Sequence, residues 1–464
     1  MEENQNSTNR PLNPRRRKRS KFQIFKESYL PVIIAATAIL LILIFVIGSI
    51  SRSIQRRNKE KQEMLEASIA ASIAQKEWDE EAVKISSEAA RLAAGYDYEK
   101  AIAVLDGFSG NINEYPQLME KRSQYLTAQN EMVLWDDPSK IVNLSFQPLI
   151  ADPVRAFKDK KYGTSYNKNF VTTEEFSKIL QQLYENDYIL IDLTHANAEL
   201  TLPNGKKPLI LTQTQVNYYT YMTDGDGDKL PDAKGAGFAS KLIVDENGNL
   251  SCEMVDASGN TVTGAYDMVP ILEAFIETHP DFSYKGARAI LAVTGYDGIF
   301  GYRTNASAKD FFGEAQYEQA ISDAKKVAEA LRNAGYQIAC YTYENAAYGS
   351  YSAAQIRSDL DNWRTEVSPI LGVVDTLVYA RNSDIAGRNA DYAGAKFTLL
   401  SEFGFINFLG FCTNGSPWLT QKDNILRQGR ILVSGSNLAH HAEWFNGLLD
   451  TESILDTTRG TIPS

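Results

Sequence analysis

Side chains able to do bond-breaking chemistry are scarce in these 464 residues. There are four histidines (His195, His279, His440 and His441) and three cysteines (Cys252, Cys340 and Cys412). So few histidines hold any imidazole-based metal chemistry to a low number, and the three thiols, in apolar runs, read as buried and unpaired rather than as a disulfide framework. The densest acidic array is Asp224-Gly225-Asp226-Gly227-Asp228 with Asp232, carboxylates alternating on a glycine-rich loop as calcium loops do. An EF-hand loop needs Gly at its sixth position and Glu at its twelfth. Those places hold Lys229 and Gly235, so a solvated acidic loop is expected, with calcium as the alternative. A third group is uncharged. Gln213, Thr214, Gln215 and Asn217 form one cluster and Tyr341, Thr342 and Asn345 another, each directly after a short apolar run. Aromatic rings lie beside them: Tyr218 and Tyr219 follow the first cluster and Tyr343 interrupts the second. Rings with hydrogen-bonding tips suit sugars, although the same pattern also serves ordinary core packing.

The elements that must position these residues alternate in type after residue 138. Residues 141–150, 189–193, 209–212, 289–293, 337–340 and 376–379 read as strands, and residues 173–186, 315–334 and 353–367 as helices. Such alternation argues for parallel β/α packing, as a barrel or a doubly wound sheet. In a barrel, Arg303, Arg381 and Trp418 fall in segments expected to end at the face that carries the two polar clusters.

The succession of blocks across residues 143–450 resembles the polysaccharide deacetylases of the NodB-homology type, a carbohydrate esterase family. Asn143-Leu144-Ser145-Phe146 with Pro148-Leu149-Ile150 resembles the opening strand and loop, and residues 170–192 the helix and strand that follow. Residues 207–212 resemble the strand carrying the first catalytic motif, and residues 335–339 the strand carrying the second. The resemblance implies a distorted (β/α) barrel and metal-assisted removal of N-acetyl groups from a glycan. In the family an Asp-Asp pair supplies a base and a metal ligand, and two histidines four residues apart complete the site, where the ion polarises the carbonyl and activates water. Here the base position falls on Thr214 and the metal positions on Gln215, Tyr341 and Asn345, with Thr342 retained. A threonine is no base near neutral pH, and carboxamides and a phenol are poor substitutes for imidazole and carboxylate as ligands. The expectation is a degenerate barrel without a cofactor, binding a peptidoglycan-like glycan through Asn217, Tyr218, Tyr219, Thr342, Tyr343, Arg303, Arg381 and Trp418. The alternatives are an active esterase with a rearranged site, which would need a divalent metal, and a structural envelope protein that binds no glycan.

Ahead of this region, no charged residue occurs between Glu27 and Arg52, and residues 30–50 are almost wholly apolar. About 20 such residues span a bilayer. A cleaved leader would have a shorter apolar region and a small-residue cleavage site, so an anchor is expected. Basic residues 15–19 place the N-terminal flank in the cytoplasm and the main domain outside it. The expected organisation is a basic arm over 1–28, a transmembrane helix over 29–51, a helical stalk over 52–138, the barrel domain over 139–450 and a tail over 451–464. One helix pair in the stalk, at residues 96–102, resembles a tetratricopeptide hairpin, but with no second copy it reads as a spacer. Residues 1–61 carry 13 Lys and Arg against 4 Asp and Glu, whereas the remainder carries 34 against 54. So acidic a body is a poor partner for nucleic acid.

Overall fold

Seven short, largely apolar runs fold as parallel strands in the computed structural model, which describes residues 21–464. These are β1 (Val142–Phe146), β2 (Lys207–Thr214), β3 (Ile290–Val293), β4 (Gln337–Cys340), β5 (Thr376–Val378), β6 (Asn407–Phe411) and β7 (Ile425–Leu432). Each pairs in parallel with the next, and β7 pairs back onto β1 with Ile431 opposite Leu144, so the sheet closes. Of the two topologies open to the sequence, the α/β barrel is the one formed. Its strands are buried on both faces, as parallel strands wrapped by helices must be. Ile210, Ile290, Ala292, Ala339, Val378 and Leu409 fill the interior. Leu144, Leu209, Leu211, Leu291 and Leu377 belong to the outer layer, which includes Phe176, Ile179, Leu180 and Leu183 of the helix Thr173–Glu185.

Several elements depart from the sequence reading. The run at 189–193 is a three-residue strand, Tyr188–Leu190, that pairs with the first residues of β2 and is no barrel stave. Strands β6 and β7 are absent from the sequence reading; β7 interrupts its apolar pattern by sending Gln428 and Arg430 inward on alternate positions. Gln428 is satisfied inside the barrel by Asn143, which also accepts from Thr212 at 2.9 Å. A three-stranded antiparallel sheet (Lys241–Val244, Leu250–Val255, Thr261–Gly264) is inserted between β2 and β3. At the end of the chain Arg459 is buried against Glu175.

The chain divides into two compact units, residues 1–81 and 82–464. In the first, the helix Leu30–Ala94 begins with the apolar stretch, whose large side chains are exposed. The 21 residues from 30 to 50 rise about 32 Å, close to the thickness of a hydrocarbon core, and the helix is long and apolar enough to cross a membrane. The basic run at 15–19 lies outside the described residues. In the second unit, helices Tyr98–Asp106 and Pro116–Asn130 pair through Arg122 and Asp106 at 2.5 Å.

Candidate functional site

Because all seven strands run the same way, their C-terminal ends share one rim, the position from which loops reach a ligand in parallel barrels. Both polar clusters of the sequence sit there. Thr214 ends β2 and donates its hydroxyl to the Phe146 carbonyl at 3.2 Å. Gln215 follows with φ +59. Asn217 clamps this loop to the one after β3: its amide donates to the Thr294 and Gly298 carbonyls and its oxygen accepts from the Thr294 amide at 3.0 Å. After β4, Tyr341 turns into the barrel interior, and Thr342 takes φ +63 while accepting from the Ala346 amide at 2.6 Å. A β-branched residue in the left-handed region costs about 1–3 kcal/mol. Asp359 offsets this by accepting from the Tyr343 and Glu344 amides and the Tyr348 hydroxyl, at 2.7–2.9 Å. Asn345, also left-handed at φ +57, ends with a buried carboxamide oxygen that has no hydrogen-bond partner. The two motif strands flank β3, two ladder spacings or roughly 10 Å apart.

The other sequence candidates are distributed less evenly. Tyr218 is fully buried and donates to Asp267 at 2.5 Å; Asp267 in turn accepts from Gln213 and the Leu149 amide. Burial with no cation beside it pushes the Asp267 carboxyl above the usual range. Tyr219 is buried against the Thr294 hydroxyl, and Tyr343 donates to Glu366 at 2.7 Å. Arg303 donates to the Asp297 and Tyr218 carbonyls and ion-pairs with Asp297 at 3.4 Å, so it braces the loop after β3. Arg381 is exposed at the end of β5 with φ +54. Trp418 belongs to the strand Trp418–Lys422, antiparallel to β7, and is buried opposite Gly429 beside Arg427. Those two residues alternate with inward-facing Gln428 and Arg430, so Trp418 packs on the outside of the barrel.

Each of the four histidines has a contact of its own: His195 with Asp192, His279 with Phe275, His440 with the Ile462 carbonyl and His441 with Trp444. Among the described residues, the one group of three carboxylates able to share an ion is Asp224, Asp226 and Asp232, within 4.8 Å of one another; Asp228 is not part of it. Backbone amides of the same loop already donate to Asp224 and Asp232. At the rim, the positions implied for base and metal present a hydroxyl, two carboxamides and a phenol. With no carboxylate or imidazole among them, these residues do not fit a divalent hydrolytic metal.

Two features of the rim were not legible in the sequence. Tyr221, Tyr219 and Tyr296 stack in a column, with centroids 5.7 and 5.2 Å apart and planes within 16° and 19°. The outer two are 41% and 38% exposed. Tyr296 follows β3 and Tyr221 follows β2, and no sequence spacing brings them together. The second is Arg430, fully buried inside the barrel at the C-terminal end of β7; following Arg427, Gln428 and Gly429, it carries no local mark of burial.

No family model and no curated protein matches the sequence. Among solved structures, the chain is similar to the Streptococcus pyogenes deacetylase PplD in complex with acetate, at 11% identity over 65% of this chain and 98% of that one, with a TM-score of 0.36. It is also similar to the de-N-acetylase from Aggregatibacter actinomycetemcomitans, at 9% identity over 64% of this chain and 95% of that one, with a TM-score of 0.35.

Proposed function

We propose that this chain is a membrane-anchored, extracytoplasmic protein whose deacetylase-like barrel binds a cell-envelope glycan at its rim without hydrolysing it. The observation that carries the reading is the chemistry of Thr214, Gln215, Tyr341 and Asn345, brought to one rim and all uncharged hydrogen-bonding groups. Had the cleft become plain core, apolar residues would have served better, since a buried polar atom without a partner costs about 1–3 kcal/mol. Gln215 and Asn345 remain partly exposed at the rim, carboxamides of the kind that bond a sugar hydroxyl or acetamide N–H. The exposed rings of Tyr221 and Tyr296 add flat apolar surface of the kind sugar rings stack on. Without a base or a metal-binding donor set, binding proceeds no further.

The test is retention on insoluble peptidoglycan or chitin, with acetate release measured alongside. The wild-type chain is expected to be retained, a Tyr221→Ala/Tyr296→Ala variant to be released, and neither to liberate acetate. Equal and poor retention of both proteins ends the binding reading. Acetate release that is lost on Asn345→Ala replaces it with an active esterase.

A further inference from the structure

Three arginines are buried among the described residues: Arg427, Arg430 and Arg459. Two of them face a carboxylate, Arg427 that of Asp384 at 3.1 Å and Arg459 that of Glu175 at 2.6 Å. Arg430 faces none. Its guanidinium donates to the Ser145 hydroxyl at 2.6 Å and the Tyr379 carbonyl at 3.3 Å, and lies 4.3 Å from the centre of the Phe411 ring. Its Nε has no partner. A guanidinium carries five N–H donors, so most of its capacity is unused. Burial pulls its pKa down to about 10, which still leaves it cationic at neutral pH.

A charge withdrawn from water without a counter-ion is among the costliest arrangements in a protein interior. The surroundings of Arg430 place it at the mouth rather than in the floor. Ser145 lies near the end of β1, Tyr379 directly follows β5, and Phe411 ends β6. Tyr341, in the loop after β4, is close enough to act on the charge electrostatically.

We propose that Arg430, with the Ser145 hydroxyl beside it, anchors a carboxylate of the ligand, so that the rim selects an acidic sugar over a neutral one. This deepens the glycan-binding reading and rests on it. A planar fork of donors matches a carboxylate in two-point contact. One cation also balances one carboxylate, whereas a phosphate dianion would remain half compensated in a buried site.

The experiment uses the full chain in detergent micelles and two tetrasaccharides of equal length. One is neutral, made of N-acetylglucosamine; in the other, alternate residues are N-acetylmuramic acid with free lactyl carboxylates. Sodium acetate and sodium phosphate, at matched ionic strength, are tested separately for thermal stabilisation. Wild type is expected to bind the acidic tetrasaccharide at least tenfold more tightly than the neutral one and to be stabilised by acetate. Arg430→Met is expected to lose both effects while still binding the neutral oligomer. Ser145→Ala, a milder change that decides the matter if Arg430→Met does not fold, is expected to weaken only the acidic ligand, by several-fold. Equal binding of the two tetrasaccharides overturns the Arg430 assignment and leaves the glycan reading standing. Stabilisation by acetate with no binding of either sugar refutes the glycan reading and leaves an anion site. Stabilisation by phosphate but not acetate overturns the carboxylate assignment, and no response to any probe overturns the site altogether.

Discussion

Removing Arg459 should release the last residues of the chain from the helix Thr173–Glu185. Glu175 exposes no surface, and its carboxylate accepts four hydrogen bonds: Arg459 Nε and Nη2 at 2.6 Å each, the Thr172 amide at 2.7 Å and the Asp456 amide at 2.9 Å. Arg459 also donates to the Asn167 and Phe170 carbonyls, both at 2.8 Å. The pair thus joins the capping box of the helix Thr173–Glu185 to the last residues of the chain. Arg459→Met keeps most of the side-chain volume but leaves the carboxylate with two backbone donors in a dry site, at a cost of ~3–5 kcal/mol. Against the ~5–15 kcal/mol that holds a domain folded, that is a large fraction. Glu175→Gln should cost a comparable amount by stranding the guanidinium. The double variant Glu175→Gln/Arg459→Met removes both charges and should be more stable than either single one, because most of the penalty in each is the orphaned partner. Urea unfolding of residues 82–464, followed by tryptophan fluorescence, reads all four proteins. If Arg459→Met lies within about 1 kcal/mol of wild type, or if the two losses simply add, the buried-pair argument is wrong.

Further outcomes follow from the same geometry. Burial raises the Asp267 carboxyl, so the folded state holds its proton more tightly than the unfolded chain. Its contribution is complete below the unfolded value near 3.9 and is lost as pH rises through the raised folded value. Asp267→Asn keeps an acceptor for the Leu149 amide and should flatten stability against pH across that window; an unchanged slope in urea midpoints would count against this. Gly429 lies under the Trp418 indole, where an added Cβ would collide with Nε1. Gly429→Ala should therefore cost about 1–3 kcal/mol by overpacking, and a melting temperature equal to wild type would contradict it. Elemental analysis of the purified chain is expected to find no stoichiometric zinc, cobalt or nickel. One tightly held ion that is lost on Asn345→Ala would reverse the reading of the rim.

The sequence by itself determined the parts of this protein that depend on local pattern. The apolar run at 30–50 needs no tertiary context to be recognised, because its length alone meets the bilayer criterion. The strand at Gln337–Cys340 and the helices Thr173–Glu185, Glu314–Ala334 and Ala353–Glu366 were legible within a residue or two, since period and capping are written in adjacent residues. So was the placement of Tyr341, Thr342 and Asn345 directly after β4, whereas β2 runs two residues further than its apolar run and takes in Gln213 and Thr214. What the tertiary structure alone decided is everything that depends on closure. Strand β7 places Gln428 and Arg430 inside the barrel, and their polarity hides a strand whose inward polar groups are met by Asn143 and Ser145 of β1. The tyrosine column joins two loops that meet only when β2 and β3 pair. Whether a buried arginine has a counter-ion is likewise invisible along the chain. Arg427, Arg430 and Arg459 look alike in sequence, and only the fold gives carboxylates to two of them and leaves the third without one.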